Sequence, residues 1–511
     1  MQIAPSIRKR YFFTILASLL RAFLSFITGM LLARFLGPKN YGNMAFLLGT
    51  FIALRQVLDM GSAQAFFTFM SQRIRSIRFI RFYFVWLGLQ FFFTVTVIGV
   101  FFPGQWIKLI WHGEEKVLVL LAFAASFLQN GVWTSVQQTL EAQRQTYKAQ
   151  GIGTFIVVGH VIAVILLWYL GKIGVIAIFI AIIFEYLVAV AVAQKYFHYA
   201  SDENLETDEV SNKAIFLKFL NYCKPLIYYS WISFAYSFVD IWLLQNYGGS
   251  VKQAYYAVSS QFSAVALLAT TSITNIFYKE IAEAYQNKDI ERMKIIYKKV
   301  SRSLFLIGAT VSCFLIPWSK DLLKNIIGES YVAGSTTLSI MFLYPIHQSM
   351  GQIGGSVFFA TEKVEIQVKI GIIFMLLSII TSYFVLAPSK NVIPGLNLAS
   401  EGLALKMLVI QFFQVNVLAF FIARIFKWKF DWVYQPVCIL GCLIAGWVSH
   451  FLVNSFINES VALMYHLIIS GFIYVFFIVL LISFLPFLTG FSRKQLMVEI
   501  GKILIDKKKS H

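Results

Sequence analysis

ARFLGPKNYGNMAFLLGTFIALRQVLDMGS, residues 33–62, carries one charge between Asn43 and Leu58, Arg55, and a second, Asp59, one helical turn later. The stretch is otherwise suited to hydrocarbon: about 20 apolar residues rising 1.5 Å each cross about 30 Å. LGPKN interrupts the apolar pattern, so spans on either side are expected to form a helical hairpin. An ionised group at mid-bilayer costs at least about 2.5 to 3.5 kcal/mol on insertion scales. Arg55 and Asp59 therefore need a physical reason to be there.

The same solvent is implied for the whole chain. Of 511 residues, 59% are hydrophobic, 17% aromatic and 13% charged, too little polar surface to cover so much apolar volume in water. Apolar runs of helical length recur without ten-residue alternation, which predicts helices and excludes a barrel. The expected fold is an all-α polytopic membrane protein of about 14 transmembrane helices. The four cysteines, Cys223, Cys313, Cys438 and Cys442, lie in apolar segments without acidic or His neighbours and read as core residues. No metal, cofactor or catalytic residue is expected.

Charge fixes the expected orientation. With both termini on one side, the loops there hold 30 Lys and Arg against 9 opposite, which places both termini in the cytoplasm. The net charge of +19 then reads as contact with anionic membrane lipids, and no nucleic-acid partner is expected. DENLETDEV (202–210) reads as an acidic linker, and residues 278–302 suit an amphipathic helix at the interface. The external loops are too short for a separate domain.

The linker suggests two pseudo-symmetric six-helix lobes, residues 1–200 and 219–425, joined by a cytoplasmic segment, 201–218. Two additional helices and a basic tail occupy 426–511. Gly42-Asn43-Met44-Ala45 and Ala254-Tyr255-Tyr256-Ala257 open topologically equivalent spans about 212 residues apart, the pattern of a parallel repeat.

Polar residues inside the spans are the candidate site. Arg55 and Asp59, at i and i+4, share a face and are expected to pair. Arg21 sits at similar depth without an acidic residue within a turn, so two guanidinium groups would share one carboxylate. A planar guanidinium matches phosphate oxygens, and Arg21, Arg55 and Asp59 are the expected substrate-binding residues. Glu185 and Asp240 are candidates for ion coupling, with Asp240 expected near water. Gln129, Asn130, His160, Gln261, His347, Gln348 and Gln352 suit either a sugar-binding cavity or interhelical hydrogen bonding.

ARFLGPKNYGNMAFLLGTFIALRQVLDMGSAQAF resembles the first hairpin of polysaccharide flippases, with its LG-P-x-x-YG turn. KPLIYYSWISFAYSFVDIWLLQNYGGSVKQAYYAVSSQF is similar to the hairpin that opens the family's second half, and FYKEIAEAYQNKDIERMKIIYKKVSR to its amphipathic loop. FFATEK (358–363) departs from the family in carrying Glu362 where Gly is usual. The resemblance implies the O-antigen branch of the multidrug/oligosaccharidyl-lipid/polysaccharide exporter superfamily. It further implies a bacterial inner (cytoplasmic) membrane location, a central cavity, cationic residues for a lipid diphosphate, and a lipid-linked oligosaccharide as substrate. Polysaccharide polymerase and assembly proteins are the partners it suggests. A cation-coupled multidrug exporter is the alternative, though a cationic drug favours negative charge. A membrane polymerase or ligase is a weaker one, since it needs a sizeable external loop.

Overall fold

The computed structural model describes residues 7–199, 211–457 and 462–491, with side chains from residue 13 onward except 266 and 268–276. The acidic segment 202–210 lies outside the described residues. Seventeen α-helices are described. They are α1 (Ile7–Asp59), α2 (Ser62–Gln72), α3 (Ile77–Thr96), α4 (Gly104–Ile110), α5 (Lys116–Phe127), α6 (Thr134–Ala142), α7 (Thr146–Tyr169), α8 (Val175–Gln194) and α9 (Asn212–Cys223), followed by α10 (Ile227–Gln286), α11 (Ile290–Leu315), α12 (Ser319–Leu322), α13 (Ser335–Ala360), α14 (Val364–Leu386), α15 (Ala399–Ile425), α16 (Tyr434–Phe456) and α17 (Leu463–Phe484). No strand occurs among the described residues.

Among the described residues, nine helices are long and apolar enough to cross a membrane, or ten if the bent pair Ile290–Leu315 and Ser319–Ile327 counts as one. The expected fourteen is therefore not reached by this criterion. One reason is that Phe13–Asp59 counts once although it is 47 residues long, about 70 Å if straight and twice the hydrocarbon thickness. It is not straight: Gly37 breaks α1 at φ 71°, ψ 168°. Only glycine occupies that region comfortably, and Pro38 follows with no N–H to give. Gly249 breaks α10 at φ 73°, ψ 176°. The two breaks are 212 residues apart and share one backbone conformation, the spacing seen in the sequence repeat.

By packing, the chain forms two compact units, Met1–Ala257 with Ile379–Ala399, and Val258–Ser378 with Ser400–His511. This is a division by contact, a different quantity from the repeat boundary expected at the acidic linker. In the first unit, α1 lies against α5 and α7, and α8 against α5 and α7. Phe46, Leu47, Val119 and Phe179 are completely buried there. In the second, α11 is central, packed on α13 and α16, with α17 on α16. Cys313, Cys438 and Cys442 lie in its core as free thiols. Phe92, Phe155, Ile444 and Phe472 are two-thirds or more exposed, or nearly so, the outward apolar face of helices solvated by lipid.

Residues 278–302 differ from expectation. They form the end of α10 and the start of α11 around a turn, where Asp289 accepts a hydrogen bond from Arg292 N at 2.9 Å. Ile281 and Met293, expected to face lipid, are fully buried in protein, while Arg292 pairs with Glu280 at 2.9 Å and Glu283 at 3.4 Å. Glu362, the departure in FFATEK, has φ 58°, a left-handed conformation that glycine adopts without the Cβ penalty.

Gly37→Ala and Gly249→Ala are each expected to cost about 1 to 3 kcal/mol, because a Cβ is strained in that backbone region. Thermal unfolding in detergent checks this against Gly88→Ala, a helical glycine with open space around its Cβ position. Equal midpoints for all three variants would refute it.

Candidate functional site

The second arm of the first hairpin, residues 38–59, runs beside the start of α10. A Cβ on Gly42 would overlap the Ser250 carbonyl, one on Gly49 would meet Ile241, and one on Gly61 would meet Leu226. Small residues thus allow two backbones to approach closely, as in other membrane helix pairs. The two hairpin turns are joined by polar groups: Gln245 Nε2 donates to Asn43 Oδ1 at 3.3 Å and to Ser250 Oγ at 3.0 Å, and Ser250 Oγ donates to Asn43 Oδ1.

Arg21 and Arg55 are both half-buried in α1. Arg21 is held by other helices. Its Nη1 donates to the Gln150 carbonyl on α7 at 3.3 Å and its Nη2 to Ser18 Oγ at 3.2 Å. Glu141, at the end of α6, supplies the nearby negative charge and accepts from Gln137 at 2.9 Å and Gln150 at 3.0 Å. The expectation that Arg21 lacks a counter-charge is therefore corrected. The sequence signal is weak because Glu141 directly follows the span expected over residues 117–140 and reads as loop charge.

The expected Arg55–Asp59 ion pair does not form. Asp59 Oδ1 instead accepts from Ser62 Oγ at 2.9 Å and from Ala63 N at 2.8 Å. It caps the first turn of α2 across a break where Met60 and Gly61 have φ 46° and 88°. Helix spacing alone gave the pair, but α1 ends at Asp59, and the unsatisfied N–H groups of the next helix compete for its oxygen. Arg55 makes no hydrogen bond or ion pair to a described residue. Both charges act on Tyr83, which is buried, lies 3.2 Å from Ser135 Oγ and stacks on Phe66 at 4.0 Å.

The ion-coupling candidates are both partnered. Glu185 on α8 lies 2.9 and 3.1 Å from His160 Nδ1 on α7, each side chain less than a fifth exposed. Asp240 does not reach water as expected: it is buried and accepts from Ser382 Oγ. Of the remaining polar residues, Gln129 donates to Tyr186 at 3.1 Å from a π-helical turn, Leu128–Trp133. Gln348 accepts from Tyr344 at 3.2 Å, and His347 is buried between the rings of Phe305 and Phe412. The Gln129–Tyr186 bond links two helices, the His347 ring packs against aromatic rings of α11 and α15, and the Gln348–Tyr344 bond stays within α13. Gln129, Asn130 and His160 belong to the first unit and Gln261, His347, Gln348 and Gln352 to the second. Among the described residues no group of three or more His, Cys, Asp and Glu is arranged to hold a metal.

Comparison with known proteins places this geometry in a family. The pattern of the family described as Polysaccharide biosynthesis protein matches residues 7–278, more than half of the chain, and that of MatE matches 225–384. No curated protein matches in sequence. Among solved structures, the chain is similar to the lipid II flippase MurJ in an inward closed conformation, with TM-score 0.70 and 15% identity over 93% of this chain and 99% of that one. It is also similar to an inward-facing multidrug resistance MATE family transporter of the MOP superfamily, with TM-score 0.60 and 14% identity over 80% and 96%. A MOP superfamily transporter from Pyrococcus furiosus aligns with TM-score 0.53 and 12% identity over 81% and 94%. At these identities the likeness is one of fold.

The partnered Glu141 and the unengaged Arg55 are expected to differ in their contribution to stability. Glu141→Ala, which strips two amides of their acceptor and Arg21 of its counter-charge, is expected to destabilise the protein by about 1 to 3 kcal/mol. Arg55→Ala removes no partnered group and is expected to shift stability by less than about 0.5 kcal/mol. Parallel melts in detergent test the contrast, and an Arg55→Ala loss as large as that of Glu141→Ala would refute it.

Proposed function

Because this chain belongs to the polysaccharide biosynthesis protein family, we propose that it is a transporter that flips a polyprenyl-diphosphate-linked oligosaccharide across the bacterial inner membrane. The substrate belongs to cell-surface polysaccharide synthesis of the O-antigen type, and both termini lie in the cytoplasm. The observation that carries the reading is the state of Arg55. It is a half-buried guanidinium in an apolar span, and its donors are engaged by no described residue. The neighbouring carboxylates, by contrast, are committed, Asp59 to α2 and Glu141 to two glutamine amides. What the hairpin offers a ligand is positive charge in the fork geometry that binds phosphate oxygens.

In this mechanism Arg55 takes the diphosphate together with Arg21, which retains Gln150 and Ser18 as a support. Asp59 fixes the turn that follows Arg55 and so its depth. The sugar passes through a polar cavity while the prenyl chain stays in lipid. Two six-helix lobes, 1–200 and 219–425, rock to expose the cavity to either side. Glu185 with His160, or Asp240 with Ser382, carries the coupling cation. No bond is made or broken in the substrate, so no enzymatic group is required. The MatE match over residues 225–384 keeps export of a cationic drug as the competing outcome.

Translocation of a fluorescent polyprenyl-diphosphate oligosaccharide into proteoliposomes tests the assignment. A charge-assisted hydrogen bond is worth about 1.5 to 3 kcal/mol, so Arg21→Ala and Arg55→Ala are each expected to lower transport roughly 10- to 150-fold at matched incorporation. Undiminished transport in both variants would return the arginines to a structural role. Transport of a cationic dye but of no lipid-linked sugar would favour the drug exporter.

The contact between the hairpin turns is proposed to close the outer end, and it must part for outward opening. Oxidative cross-linking of the Asn43→Cys/Ser250→Cys variant is expected to abolish transport, with recovery on reduction. The four natural cysteines are buried and serve as the background control. Full transport by a cross-linked protein would rule out separation of the turns as a step of the cycle.

A further inference from the structure

The second unit contains a cavity of about 280 Å³ that the transport reading does not use. It lies where α11 changes character, from a charged first half to an apolar second half beginning at Ser303. Lys294, Lys298 and Arg302 are spaced by four and lie on one face of α11, which is why all three line the cavity. Lys429, from the turn between α15 and α16, lines it as well. Against these four cations the lining contains one carboxylate, Asp431.

The partnering of these charges decides the sign of the cavity. Arg302 and Asp431 neutralise one another: Arg302 Nε donates to Asp431 Oδ2 at 3.0 Å, a second guanidinium nitrogen joins it, and a third donates to the Phe487 carbonyl. Arg302 is over nine-tenths buried and is further held over the rings of Tyr434 at 5.1 Å and Phe487 at 5.8 Å. The pair is thus a fixed, neutral floor. Lys294 reaches outward to Glu291 at 3.2 Å. Lys298 and Lys429 have no ion pair among the described residues, so the cavity keeps an excess of positive charge.

Its walls are of two kinds. Trp428, Phe430 and Tyr434 form an aromatic side, while Met350 on α13 and Ala419 and Ala423 on α15 form an apolar side. Aromatic rings beside lysines are characteristic of the level at which lipid headgroups lie. Basic pockets between membrane helices bind phosphate headgroups. The volume is several times the ~30 Å³ share of one water. The basic tail does not suit this pocket as an occupant, since residues 492–511 carry six Lys and Arg against two Asp and Glu.

We propose that this cavity is a phosphate-binding site, with Lys298 and Lys429 as the ligating cations and Arg302–Asp431 as the scaffold that positions the aromatic wall. The chemistry is that of a phosphate ester, and its apolar wall matches the glycerol and first methylenes of an anionic phospholipid. A soluble phosphate presents the same oxygens.

The test is native mass spectrometry of the full-length protein after delipidation, titrated separately with phosphatidylglycerol, phosphatidylcholine and inorganic phosphate. Lys298→Gln/Lys429→Gln is compared with Lys172→Gln/Lys390→Gln, which removes the same charge from exposed positions in the other unit. Melting midpoints confirm that both variants are folded. The expected result is that the first variant loses one phosphatidylglycerol site, about tenfold or more in affinity, with phosphatidylcholine unaffected and the control variant like wild type. Inorganic phosphate that binds wild type and displaces the lipid, with loss in the first variant alone, identifies the soluble anion as a second source for the same site. Equal phosphatidylglycerol and phosphate binding by wild type and both variants, or equal losses in both variants, would overturn the proposal. None of these readouts depends on transport, so they stand apart from the flippase assignment.

Discussion

The first unit depends on the close approach of two backbones at Gly42 and Ser250, where a single methyl group would overlap a carbonyl. A helix of 53 residues has to turn back on itself to stay within hydrocarbon, and the turn needs a residue for which positive φ is free. Gly37 supplies it in α1 and Gly249 in α10. With the turns made, Gly42 and Gly49 bring the second arm of the first hairpin against the first half of α10, and Gly61, in the break after α1, lets Leu226 just before α10 approach. In lipid no hydrophobic effect drives helices together, so packing at such contacts and hydrogen bonds across them carry the association. Asn43, Gln245 and Ser250 are the hydrogen-bonding part.

The second constraint is charge in an apolar solvent, and the chain meets it in two ways. Several buried or half-buried ionisable groups have a partner distant in sequence: Arg21 near Glu141 through Gln150, Glu185 with His160, Asp240 with Ser382, and Arg302 with Asp431 in the turn before α16. Where both partners are charged, as in Arg302–Asp431, desolvation roughly balances Coulomb attraction. The net contribution of such a pair to stability is small, while loss of one member is costly. Arg55 is the exception among the described residues of the first hairpin, and the exception is informative because an unengaged guanidinium has no structural benefit to offset its desolvation.

Whatever depends on periodicity and local backbone chemistry was legible in the sequence. The apolar runs gave an all-helical membrane protein, LGPKN gave the hairpin, and the 212-residue offset anticipated the paired breaks at Gly37 and Gly249. The Glu362 departure marked a position that does have positive φ. Contacts between helices were not legible. Glu141 is 120 residues from Arg21 and ends a span, so nothing local linked them. The i, i+4 spacing pairs Asp59 with Arg55 only if the helix continues, and the Met60-Gly61 break ends α1 there and turns the carboxylate toward α2. Residues 278–302 showed an amphipathic pattern, but a pattern does not say whether the apolar face meets lipid or protein. Ile281 and Met293 meet protein.

In the proposed transport cycle, in which the chain alternates between two openings, the hairpin contact has to be cheap to part. Both end states must lie within a few kcal/mol of each other, or one would never be populated. An interface of interdigitated aromatic side chains would cost about 1.5 to 3 kcal/mol per residue to expose. The three hydrogen-bonding residues at the turns, Asn43, Gln245 and Ser250, exchange their bonds for water at a net cost of about 0.5 to 1.5 kcal/mol each. Glycine at position 42 sharpens the geometry without adding apolar area. The contact is therefore specific in shape and weak in free energy, and these are the properties required of a gate that must close in register and open again.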